Sequence, residues 1–218
     1  MALTTQDVGN ARTVKASWDN IAADGFDIYT RTTSDNPQIC IFSSADSDIT
    51  GYEQMVRLVS FTAGSLTTKV TNVSTTPTLM QSFATNTGFP NTTLIPAGLF
   101  TCYYQTEKQA GTNNYYTYFQ VYKRSGAVET LLATSSNSNQ DASNTVKNTI
   151  VTAFIPSDTT ILATDRLVVK IYGVMLSATA NITLYYDGTS GARFEYPTST
   201  YPVGNIVTSF LATRDYNP

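Results

Sequence analysis

At 218 residues, with 41% hydrophobic and 11% aromatic side chains, the chain can fill one large β-sandwich with an extra arm, or two small domains. Charged residues make up only 13%, against roughly 25% in an average soluble domain. The net charge is −3 and no Lys/Arg run occurs, so the basic field that nucleic-acid binding needs is missing. His is absent altogether, which removes Ser-His-Asp and Cys-His catalysis and the commonest transition-metal ligand.

Residues 1–34 read as an N-terminal arm. Met1–Asp7 has neither the basic start nor the apolar core of a signal peptide, so synthesis in a cytoplasm without cleaved export is expected. No apolar run reaches the roughly 18 residues of a membrane span, and no membrane partner is expected. Val14, Trp18 and Ile21 fall at helical spacing, but Gly9 and the short length favour an irregular arm with one helical turn. The segment holds too little apolar surface to fold alone, since ordering each residue costs about 1–2 kcal/mol. Trp18, the only Trp, and Ile21 are therefore either a plug for the chain's own core or an anchor in a neighbour.

From Pro37 the pattern changes to short strands and turns. Pro37–Ser43 and Glu53–Phe61 are strand candidates separated by the loop Ser44–Asp48, and Leu66–Val73 alternates Leu66, Thr68 and Val70 against polar neighbours. Thr85–Asn91 reads as a loop and Pro96-Ala97-Gly98 as a turn. Leu99–Glu107, Tyr115–Arg124 and Val128–Ser135 then read as a three-stranded antiparallel meander, joined at Gly111–Asn114 and Ser125-Gly126. Beyond the polar loop Ser135–Ser143 come strands at Thr145–Ile155, Arg166–Gly173 and Asn181–Asp187. In Arg166–Gly173 the residues Leu167, Val169 and Ile171 face one way and Arg166, Lys170 and Tyr172 the other, as in a sheet with one wet face. Residues 191–218 contain Pro197, Pro202 and Pro218 and read as an extended C-terminal tail. About eight to ten strands, with turns every 8 to 15 residues or so, indicate an all-β fold. The expected architecture is an antiparallel, jelly-roll-like β-sandwich over 35–190, with extended arms at both ends.

The candidate chemistry is sparse. Cys40 and Cys102 sit in apolar strands and read as buried free thiols. Asp46 and Asp48, with Asp35, offer oxygen to calcium, but the spacing is not that of an EF-hand loop and a solvated turn is the plainer reading. Glu107, Asp187 and Glu195 are isolated carboxylates with no visible pairing for glycosidase chemistry. Asn72, Asn91 and Asn181 begin glycosylation sequons that arise readily by chance in an Asn- and Thr-rich chain. In Tyr115–Tyr122, Tyr116, Tyr118 and Tyr122 fall on one face, with Phe119 and Val121 on the other. That tyrosine face is either buried between sheets, a subunit interface or a platform for glycans.

Three groups of residues carry a resemblance. They are Thr164–Tyr172 followed by Asn181–Thr189, Ile95–Gly98 leading into an aromatic strand, and Val121–Gly126 followed by Glu129–Leu132. Together they resemble virion structural proteins of tailed bacteriophages and related environmental viruses: head-decoration, fibre and receptor-binding proteins with a jelly-roll head. The resemblance spans roughly residues 35–190. It implies a non-enzymatic capsid-decoration, minor capsid or fibre component located in the virion. Such a protein acts by self-assembly, with a homotrimer expected, and by docking on other virion proteins. The alternative is a receptor- or carbohydrate-binding tip of a tail fibre, with a host surface glycan as partner. No cofactor, metal or catalytic residue is expected.

Overall fold

The computed structural model describes residues 38–57, 66–87, 89, 90 and 92–197. The chain divides into two units, Met1–Asn36 with Thr198–Pro218, and Pro37–Pro197. All described residues lie in the second. Trp18, Ile21 and Asp35 fall outside them, as do the N-terminal arm and the tail beyond Pro197.

The second unit is built from strands. In chain order they are β1 (Gln38–Asp46), β2 (Glu53–Arg57), β3 (Thr67–Val73), β4 (Thr78–Thr85), β5 (Leu94–Ile95), β6 (Gly98–Lys108) and β7 (Tyr115–Ser125). They continue with β8 (Val128–Thr134), β9 (Lys147–Ile155), β10 (Thr159–Thr160), β11 (Arg166–Met175), β12 (Ala180–Tyr186) and β13 (Arg193–Tyr196). The expected all-β sandwich is what forms. Eleven strands make one hydrogen-bonded sheet in the order β3-β12-β6-β13-β1-β2-β4-β11-β7-β8, with β9 on the other edge of β6. Every pairing is antiparallel except β2 with β4, where the sheet turns over.

Two layers result, one around β6 and the other around β11. Their inner faces interlock. Phe42 of β1 stacks on Phe83 of β4 at 4.2 Å, and Phe119 of β7 meets Phe194 of β13 edge-on at 6.2 Å. Buried polar atoms find partners across the gap, as where Tyr104 Oη donates to Thr117 Oγ1 at 2.9 Å. Gly173 of β11 sits where a Cβ would lie 3.1 Å from Met80 Sδ and Val73 Cγ2, so the layers approach closely there for want of a side chain. Gly126, at φ 58, makes the tight turn between β7 and β8 that the sequence predicts.

Four expectations need correction. The three strands from Leu99 to Ser135 do not form a meander: β7 pairs with β8, but β6 pairs with β9, β12 and β13 and lies in the opposite layer. The Gly111–Asn114 segment therefore crosses between layers. Buried Lys108 secures that crossing, its Nζ donating to Asn113 O and Ala142 O at 2.6 Å each. In β3 it is Thr71 and Val73 that turn inward while Val70 is exposed, because the buried Ile182 and Leu184 of β12 set the register. β1 continues to Asp46 through residues expected to form a loop. Finally, the sandwich does not end at 190. β13 inserts between β1 and β6, burying Phe194 and Tyr196, and the prolines that exclude a strand begin only at Pro197.

The cysteines are free and buried. Cys40 and Cys102 both pair in register with Phe194, one from each side. They are thus two strand spacings apart, about 9–10 Å, beyond the reach of a disulfide. Burial pushes the Cys40 thiol up to about 12 and Cys102 well above its ordinary value.

Candidate functional site

The outward face of the β8-β7-β11-β4 layer gathers the long polar and aromatic side chains. Along β7 burial alternates, with Tyr115, Thr117, Phe119 and Val121 inside and Tyr116, Tyr118, Gln120 and Tyr122 partly exposed outside. The register with β11 places Tyr118 opposite Tyr172, Gln120 opposite Lys170 and Tyr122 opposite Val168. Cross-strand neighbours on one face touch. Tyr118 and Tyr172 stack at 5.2 Å with 11° between the rings.

An ionic knot lies beside the stack. Glu129 of β8 accepts from Tyr52 Oη at 2.6 Å and Arg124 Nη1 at 2.9 Å on Oε1, and from Lys170 Nζ at 2.5 Å on Oε2. Lys170 Nζ also lies 4.8 Å from the centre of the Tyr122 ring and 5.6 Å from that of Tyr52, within cation–π range. Tyr122 Oη donates to Gln120 Oε1 at 2.5 Å. Burial opposes ionisation of Glu129, but the hydrogen bonds from Lys170, Tyr52 and Arg124 hold its carboxyl below the usual range. Burial works against the Lys170 charge too, yet Glu129 keeps its pKa raised. Tyr172 is pushed up to about 12 by burial and by Tyr122 next to it. The face is thus ordered before anything binds it, which lowers the entropy cost of contact.

The tyrosines at 116, 118 and 122 share one face as the sequence indicates, and that face is neither sandwiched between sheets nor fully open. Tyr172 and Lys170 also stand on the outward side that β11's alternation predicts. Sequence reading misses Tyr52 and Glu129, because only the β7–β8 pairing and the β1–β2 loop bring them to the site.

A second cluster caps one end of the core. Glu53 accepts from Tyr186 Oη at 2.7 Å on Oε1, while its buried Oε2 has no partner among the described residues. Burial pushes its carboxyl above the ordinary range. Tyr186 and Lys69 oppose that shift, and Asp46 and Asp187 reinforce it. Asp187 is itself held low against burial by Ser44, whose N and Oγ donate to Oδ2 at 2.8 and 2.6 Å, and by the Gly188 amide. The other sequence candidates are engaged elsewhere. Asp48 forms a bidentate ion pair with Arg166, which holds its carboxyl far below the usual range and occupies the oxygens considered for calcium. Glu107 accepts from Tyr185, and Glu195 pairs with Arg193 at 2.6 Å. Among the described residues no group of three or more Asp, Glu or Cys is placed to hold a metal ion, and no helix is long and apolar enough to cross a membrane.

Two solved structures of a CocE/NonD family hydrolase from Staphylococcus aureus match this chain, with TM-scores of 0.53 and 0.54 at 9% and 8% identity. The matches cover 75% and 78% of this chain but only 36% and 38% of the hydrolase, so the chain spans little more than a third of its length. A chain from a structure of infectious bursal disease virus, Gt strain, aligns with 98% of this one at 10% identity, but its TM-score of 0.23 carries no argument. No family model matches the sequence, and no curated protein does either. At these identities the likeness establishes the fold alone. It nevertheless corrects one expectation. The expectation of no enzymatic activity, drawn from the missing His, the unpaired carboxylates and the resemblance, does not stand against an architecture shared with hydrolase chains.

Proposed function

We propose that this chain is a subunit of a virus particle, a capsid-decoration, minor capsid or fibre component, and that it works by docking its sandwich against copies of itself. The observation carrying the docking part is the outward tyrosine face, with the Tyr118–Tyr172 stack and the Glu129–Lys170–Arg124 knot already in place. Tyr and Arg are favoured at interface centres, where they combine area with a polar tip. The low charge of the chain adds little repulsion between copies. The particle part rests on the sequence resemblance. Light scattering on the full chain is expected to give a homo-oligomer, a trimer in this reading, that Tyr118→Ala with Tyr172→Ala dissociates. A monomeric wild type, or an oligomer indifferent to both substitutions, would overturn the docking. Mass spectrometry of purified particles, with the chain absent from them, would overturn the location.

A second reading comes from the hydrolase likeness and the Glu53 cluster. A carboxyl whose protonated form is favoured by burial, next to one held ionised, is the arrangement general acid–base chemistry uses. Turnover of ester, amide or glycoside substrates that is lost in Glu53→Gln supports it. Turnover unchanged by that substitution removes Glu53 from consideration.

A further inference from the structure

On the side of β9 away from β6 the sheet has an open edge. Ser136 N donates to Thr152 O from that side at 2.9 Å, so Thr152 turns its backbone groups outward. Alternate residues of a strand share that direction. The N–H and C=O of Ile150 and Asn148 therefore point outward as well, with those of Val146 just ahead of the strand. None of these groups has a hydrogen-bond partner among the described residues. The edge is regular, since β9 pairs with β6 in unbroken register from Lys147 to Ile155, with no bulge and no proline. A flat edge of that kind is a template for another strand. We propose that it pairs with the same edge of a second copy, antiparallel about a two-fold axis at Asn148. The inference does not rest on the docking of the tyrosine face.

Three features fix the occupant and the register. The first is apolar. Asn148 and Ile150 lie on the outer face beside Gln105 and Tyr103 of β6, and alternation puts Val146 there too. A two-fold at Asn148 sets Val146 opposite the partner's Ile150. These side chains are 46% and 62% exposed, and each covers the other as a cross-strand β-branched pair.

The second is charge. On the other side of the strand Lys147 comes against the partner's Thr149, over the hollow between β9 and the loop Ser138–Asp141. Asp141 lines that hollow, and neither it nor Lys147 is ion-paired among the described residues. A lone edge lysine ordinarily discourages strand pairing. Here each Lys147 reaches towards the partner's Asp141.

The third is the end of the strand. The chain bends at Asn144 and Thr145, which this register sets opposite the partner's Thr152 and Val151. Each copy thus leaves the edge where Ser136 of the other already occupies it. An extended peptide without such a bend would run into Ser136. The edge is short, so the contact belongs with weak interfaces that bury under about 1,200 Å².

Disulfide trapping tests this in the full chain carrying Tyr118→Ala and Tyr172→Ala, which makes the outcome independent of the tyrosine face. Cα atoms facing each other across an antiparallel pair lie about 4.5–5.5 Å apart, within disulfide reach. Under mild oxidation Asn148→Cys should form a covalent dimer at least about tenfold faster than Phe154→Cys, an exposed position that the register leaves without a counterpart. Cys40 and Cys102 are buried and do not compete. Ile150→Pro removes an outward N–H without touching the β6 ladder, and should bring trapping of Asn148→Cys down to the Phe154→Cys rate. Lys147→Glu, at an exposed side chain, should slow it as well, with the thermal midpoint unchanged. Equal rates for Asn148→Cys and Phe154→Cys overturn the proposal. So does trapping of Asn148→Cys that Ile150→Pro and Lys147→Glu leave unchanged.

Discussion

Tyr118 lies flat on Tyr172 on one outer face of the sandwich, with Lys170 and Arg124 closing on Glu129 beside them. On the other outer face Leu99 and Phe154 sit side by side in register, each 62% exposed. Both faces follow the same period-2 alternation, so the difference is not one of secondary structure. On the first, long side chains hold one another through stacking and ion pairs. On the second, Leu99 and Phe154 stand largely in water beside a smaller set of ordered contacts: the Arg193–Glu195 ion pair, Arg193 over the Tyr103 ring at 3.7 Å, and Gln105 with Asn148. An ordered face gives up little entropy when a partner lands on it, whereas isolated apolar side chains offer area without a fixed geometry. Exposed apolar residues alone are ordinary on protein surfaces, so the preorganised face carries the docking argument.

The comparison breaks most clearly by substitution. Glu129→Ala leaves Lys170 and Arg124 facing each other without their anion. The ion-paired side chains keep 15–17% exposure, which screens the loss below that of a fully buried pair. About 2 kcal/mol of stability should go, visible as a lower thermal midpoint. Phe154→Ser on the opposite face should change stability by less than about 0.5 kcal/mol, because little burial is lost. Equal losses would mean the two faces are not differently organised.

Self-association sharpens the contrast. Tyr118→Ala with Tyr172→Ala should weaken the oligomer by about thirtyfold or more, the scale of a lost interface hot spot. Leu99→Ser with Phe154→Ser should leave it intact. Sedimentation at several concentrations decides, and the reverse order would move the interface to the β6–β9 face.

A smaller effect is expected with pH. Glu129 has its pKa depressed in the folded chain, so the folded state binds fewer protons there than the unfolded one. Its contribution is present above the ordinary carboxylate pKa of about 4.3 and is lost as pH falls through the folded value. Denaturant titrations from pH 6 downward should show a shallower acid loss in Glu129→Gln than in wild type. The smallest effect lies at the alkaline end. Tyr172 is raised to about 12, so its contribution is whole below about pH 10 and lost as pH rises through about 12. Phenolate absorbance should appear later in a Lys170→Met variant than in wild type, because the Lys170 ammonium favours the Tyr172 phenolate.

Reading the residues in order recovers the fold class because alternation and turn chemistry are local. In β9, Thr149, Val151, Ala153 and Ile155 go in and Asn148, Ile150, Thr152 and Phe154 go out, a pattern legible without coordinates. β11 declares its outward Lys170 and Tyr172 in the same way, and Gly126 announces its turn. β4 shows no such pattern. Its residues from Met80 to Thr85 are all buried: Gln81 and Phe83 share the inner side with Ile171 and Val169, while Ser82 and Ala84 lie on the outer side beside Lys170 and Val168 and are covered there as well.

Sequence by itself therefore determined that this chain forms strands, where many of them turn, and that Tyr116, Tyr118 and Tyr122 share a face. Beyond the β7–β8 hairpin, tertiary structure alone decided which strand lies beside which. Backbone hydrogen bonds are the same for any pair of strands, so partner choice falls to long-range burial of side chains that local spacing cannot report. That is why β6 and β7, adjacent in sequence with a turn between them, sit in opposite layers. It is also why Glu129 meets Tyr52 and Lys170 from distant parts of the chain, and why Glu53 caps the core under Tyr186.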